Sequence, residues 1–158
     1  MRRLYLILIV AILVSSSGLN AQVSRIDPGD WGIGAVLGEP TALNVKRWVM
    51  WNSAFDFGAG WSWKGEGYFT GYFDYIWHNF YFFEQPGSGD LPVYFGAGAR
   101  FVVEGDDVRF GVRTPIGVEY VMYNRPLSFF IEIVPIFDFT PETEGNLSGG
   151  IGFRYMFR

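Results

Sequence analysis

From residue 31 onward the chain alternates. In segment 53–63, Phe55, Phe57, Ala59, Trp61 and Trp63 fall on one phase, and Asp56, Gly58, Gly60 and Ser62 on the other. A period of two is the strand period, which sends successive side chains to opposite faces. Segment 68–83 splits the same way: Phe69, Gly71, Phe73, Tyr75 and Trp77 against Tyr68, Thr70, Tyr72, Asp74, Ile76 and His78. Segments 91–103, 108–122, 127–138 and 147–157 repeat the pattern, each with an apolar phase and a phase of glycines and isolated charges. Segments 31–37 and 41–49 complete a set of eight. In 41–49, Asn44 and Lys46 go with the charges, while Arg47 falls on the other side near an end. Turn signals such as Gly38-Glu39-Pro40, Glu104-Gly105-Asp106-Asp107 and Tyr123-Asn124-Arg125-Pro126 separate the segments. No helical period intervenes, which argues against βαβ units. The predicted fold is all-β: eight antiparallel strands joined up-and-down.

The faces predict which side is inside. A soluble sheet also alternates, but its polar face is solvated and is expected to be rich in Lys, Glu and Thr. Here the polar phase is mostly glycine, in a chain with 21 glycines and 20% aromatic residues. An eight-stranded barrel holds only modest side chains, so the rings are expected outside, against lipid, with glycines and charges inside. Closure pairs every strand edge, as a bilayer requires. The interior set is then Lys46, Asp56, Asp74, His78, Arg100, Arg113, Glu119, Glu132, Asp138 and Arg154. Their signs nearly balance, and an unpaired charge in such surroundings is costly. Mutual pairing is therefore expected, as an ionic plug that fills the lumen and fixes register. Asp74 and His78 lie about 13 Å apart along one strand, too far for direct contact.

The N-terminus changes the setting. "MRRLYLILIVAILVSSSGLNA" has two arginines, an apolar core and a short polar end, the layout of a secretory signal peptide. Residues 1–21 are expected to be that peptide and residues 22–158 the barrel domain. The closing "SGGIGFRYMFR" resembles the C-terminal signal that outer-membrane barrels present to their assembly machinery, although Arg158 follows the last aromatic. The whole region after the signal resembles the small eight-stranded outer-membrane barrels of the OmpA/OmpX type. "GEPTALNVK", "DYIWH" and "RTPIGVEY" are similar to short bacterial barrels of unassigned function. The resemblance implies the outer membrane of a Gram-negative-type bacterium, with lipid as the standing partner. During biogenesis it implies chaperones and the barrel assembly machinery; the expected state is a monomer.

Candidate chemistry is sparse. Cysteine is absent, which removes disulfides, thiol catalysis and cysteine-based metal sites. The net charge is −4 with no Lys/Arg run, so no nucleic-acid partner is expected. No cofactor is implied, and no loop has the calcium-binding pattern. A lipid A-modifying enzyme would need a serine beside His78, and Ser62, Ser128 and Ser148 share the inward phase. A narrow passage for small or hydrophobic solutes is the other alternative. The outer loops, 38–40, 64–67, 104–107 and 139–146, are too short for an adhesin's surface. Trp31, Trp48, Trp51, Trp63, Trp77 and Tyr123 are candidates for interfacial belts. The expected function is structural or envelope-related, without catalysis.

Overall fold

A computed structural model describes residues 26–38, 40–62, 67–140 and 142–157. The proposed signal peptide, residues 1–21, lies outside the described residues, as do residues 63–66 with Trp63. The described chain is all-β: β1 (Trp31–Gly38), β2 (Thr41–Met50), β3 (Ser53–Ser62), β4 (Tyr68–Asn79), β5 (Gly89–Asp90), β6 (Val93–Glu104), β7 (Asp107–Arg113), β8 (Ile116–Met122), β9 (Leu127–Asp138) and β10 (Glu144–Phe157). Every pairing is antiparallel, and β10 pairs both β9 and β1, so the sheet closes on itself. Trp31 pairs with Phe157, which puts the start of β1 and the end of β10 on one rim, here the terminal rim.

Ten strands make eight staves. Asp90 pairs with Val121 and Val93 with Val118, so β5 and β6 continue one line beside β8, interrupted at Leu91-Pro92. Likewise β7 and β8 are one stave, interrupted at Thr114-Pro115. A proline has no N–H to give to a ladder. Its carbonyl still works: Gly96 N donates to Pro115 O at 2.8 Å, Glu119 N to Pro92 O at 3.0 Å and Thr114 N to Pro135 O at 3.0 Å. Register therefore survives while three return bonds are lost. This is why the sixth predicted segment, 108–122, is two strands.

The wall is strongly sheared. Gly34 pairs with Asn44, Asn44 with Gly58, Gly58 with Tyr72, Tyr72 with Arg100, Arg100 with Gly111, Gly111 with Asp138, and Asp138 with Glu144. Yet Gly34's own neighbour on β10 is Arg154, ten residues further along. That shift, with ordinary strand spacings, gives a tilt of about 41° and a wall radius of about 8 Å. Such a lumen is filled by side chains.

Burial is inverted relative to a soluble protein. Ile131, Ile133 and Phe137 are 56% exposed on the outer wall, whereas Lys46, Glu119 and Arg154 are fully buried inside. The outer rings pack in cross-strand ladders, as in Phe55–Phe73 and Trp77–Phe95. Three sequence-level boundaries are corrected. The fourth strand stops at Asn79 rather than residue 83; Tyr81, Phe82 and Phe83 stand exposed in the connection to β5. The fifth stave starts at Gly89, two residues before position 91, and β10 starts at Glu144, three before position 147.

Candidate functional site

The inward phase meets in the lumen as stacked layers. At the terminal rim, Trp48, Ile26, Ala54, Val121 and Met156 form an apolar floor, with Phe80 packed against it. Trp48 is thus not part of an outer belt. It shares the parity of Asn44 and Lys46, is fully buried, and lies with its ring centroid 4.2 Å from that of His78. Its room comes from the small residue opposite, Ala54.

Above the floor sits the first ionic layer. Lys46 donates to Glu119, and its Nζ lies 2.8 Å from His78 Nε2. With Lys46 as an ammonium, which has no lone pair, Nε2 is the natural acceptor; Glu119 Oε2 also lies 3.5 Å from it, and Nδ1 is 3.4 Å from the Asn52 carbonyl. Arg154 spreads its guanidinium over three partners: Glu119 Oε1 at 3.0 Å, Asp56 Oδ2 at 2.9 Å, and Asn44 through Nε. Asn44 returns a bond to Asp56 Oδ1 at 2.6 Å and another to the Tyr72 hydroxyl at 3.0 Å. Lys46 stands 4.2 Å over the Trp48 ring, and Arg154 lies 3.7 Å over Phe130. The cations are held by aromatic faces as well as by carboxylates.

The second layer centres on Arg113, whose Nε is 3.1 Å from Asp74 Oδ2 and whose Nη2 is 3.7 Å from Glu132. Its guanidinium lies 3.7 Å over the Tyr72 ring, and the Tyr94 hydroxyl donates to Glu132 at 2.8 Å. A third layer, toward the far rim, pairs Arg100 with Asp138 through both carboxylate oxygens, and Asn146 adds a bond at 3.2 Å. All ten sequence-selected residues line the lumen, and Arg100 is the least enclosed. Asp74 and His78 do not meet: one faces Arg113, the other Lys46 and Glu119. Between the second and third layers a cavity of about 30 Å³, touched by Thr70, Tyr72, Arg100, Arg113 and Glu132, has room for water and little more.

Inward glycines make space for rings. Gly58 is paired with Tyr72, Gly152 with Phe130 and Gly117 with Tyr94. At each glycine a Cβ would run into the ring of that partner. Tyr72, Tyr94 and Phe130, with the amides Asn44 and Asn146, are interior members outside the ten residues selected from sequence. The parity of the three rings, shared with Asp74, Arg100 and Glu132, was the available signal.

Comparison with solved structures returns this architecture. The crystal structure of the N-terminal β-barrel domain of Pseudomonas aeruginosa OprF is similar over 81% of this chain and 96% of that one, with a TM-score of 0.62 and 14% identity. The fold is an OmpA-type eight-stranded barrel. No protein-family model matches the sequence, and no curated protein matches it.

Proposed function

We propose that this chain is an integral outer-membrane barrel of a Gram-negative-type cell, with a structural or envelope role and a lumen closed by charge pairing. One observation carries the reading: the wall is apolar outside and ionic inside. Exposed Phe, Ile, Leu and Trp side chains ring the outside, while Lys46, Asp56, Glu119, Asp138 and Arg154 are buried within and paired with one another or with Arg100. Water would penalise that outer surface; hydrocarbon would not. The likeness to the OprF barrel supports the same setting. Lipid is then the standing partner, and the barrel acts as a monomer.

The interior favours a plug over a passage. The apolar floor, the Arg154 layer and the Arg113 layer lie in series along the lumen, and the cavity between the Arg113 and Arg100 layers is water-sized. Catalysis is not part of the reading. His78 Nε2 lies against Lys46 and Nδ1 faces the Asn52 backbone carbonyl, contacts that favour a structural role for the ring.

The test is gel mobility of protein from fractionated envelopes, with and without boiling. A boiling-dependent shift, with the unboiled form in the outer-membrane fraction, is expected. A shift-free protein recovered from the periplasm would overturn the reading.

A further inference from the structure

The outer wall carries one anomaly. Among the described residues, Arg47 is the one charged side chain on the outward phase of the strands; every other outward position is apolar, glycine, or neutral polar. It is exposed, and no described carboxylate lies within ion-pair distance of it. The nearby carboxylate of Asp30 is engaged in its own turn, accepting from Asp27 N at 3.1 Å. Arg47 instead lies 4.9 Å over the ring of Trp31. Trp31 opens β1, is the direct cross-strand partner of Arg47, and also pairs with Phe157 at the chain's last described position. Arg47 therefore sits close to the terminal rim, with Phe55 as its partner on β3.

An arginine on a lipid-facing wall is costly at mid-bilayer, about 2–4 kcal/mol, and nearly free at the interface. Its location thus fixes the height of the headgroup layer on the terminal side. The Trp31 ring occupies one side of the guanidinium and, with no described carboxylate paired to it, leaves its N–H groups available to another acceptor. They form a planar fork, suited to two oxygens of one phosphate. In a headgroup layer, phosphate is the anion always present.

We infer that Arg47 and Trp31 form a binding site for the phosphate of a lipid headgroup in the terminal-side leaflet. The inference rests on the membrane reading above. The site anchors the barrel's depth: Phe55 and Tyr75, which follow Arg47 along the sheared row toward mid-membrane, pack acyl chains inside the phosphate, and the guanidinium holds the phosphate itself.

The experiment follows the Trp31 indole N–H by NMR in the folded protein, held in maltoside micelles that contain no phosphate. Three probes are added separately: short-chain phosphatidylglycerol, diacylglycerol of the same chain length, and inorganic phosphate. The expected result is a saturable shift with phosphatidylglycerol alone. R47K should need about tenfold more lipid, and R47Q should lose the response. An equal shift with inorganic phosphate would overturn the lipid assignment in favour of a free-anion site. A shift with diacylglycerol, or none with any probe, in protein that still inserts into vesicles would overturn the site while leaving the membrane reading intact. Failure of the wild type to insert at all would instead overturn the reading beneath it.

Discussion

Asp56 and Asp74 are direct cross-strand partners on β3 and β4, both inward, and each is claimed by a different arginine. Arg154 reaches Asp56 from β10 at 2.9 Å, and Arg113 reaches Asp74 from β7 at 3.1 Å. Two like charges at adjacent inward positions would repel. The lumen resolves the conflict by bringing a cation to each from across the barrel. Removing one arginine should therefore cost more than one ion pair. R154M leaves Asp56 and Glu119 each short of a partner, and a loss of about 3–5 kcal/mol is expected. The urea midpoint of the barrel refolded in lipid vesicles measures it. The double variant R154M/D56N should recover part of the loss; no recovery would contradict the pairing.

Which residues turn inward was legible in the sequence, and how they pair was not. Parity alone put Lys46, Glu119 and Arg154 on one face. Their contact depends on the shear, because Lys46 and Glu119 are 73 residues apart and lie on staves that are not neighbours. No local pattern encodes that. Trp48 shows the opposite failure. Its parity points inward, whereas its ring, on the rule that rings face out, suggests an outer belt. The rule fails wherever a ring is paired with a small residue, as Trp48 is with Ala54 and Phe130 with Gly152. The strand breaks were hard to read for a related reason: Pro115 interrupts a ladder without changing its register.

The glycine–ring pairs make a second prediction. G58V drives a branched side chain into the Tyr72 ring, and a loss of about 1–3 kcal/mol is expected. Adding Y72A should relieve the clash. Urea melts of the single and double variants check this, and a double variant no better than G58V would contradict the pairing.

The proline-laced staves should be the weakest part of the wall. Pro92, Pro115 and Pro135 each accept a ladder bond and return none. Amides of Gly96 and Thr114, flanking the prolines, are expected to exchange with deuterium faster than that of Gly58 in the unbroken β3–β4 ladder. Residue-resolved exchange in micelles reads this directly. Uniform protection around the barrel would contradict it.

The proposed plug, with Trp48, Arg154 and Arg113 in series, predicts no steady ion current. In planar bilayers the wild type is expected to stay silent or to show only brief, small events. A large, steady conductance would contradict the plug.

The inside–outside assignment is the central claim, and two tryptophans near the same rim test it. Trp77 is outward and Trp48 is fully buried within. Single-tryptophan variants, each first shown to keep its unboiled gel shift, are placed in vesicles containing brominated acyl chains. The account predicts strong quenching of Trp77 and little of Trp48. Quenching of Trp48 with Trp77 spared would mean the wall is turned the other way and the aromatic face is a core.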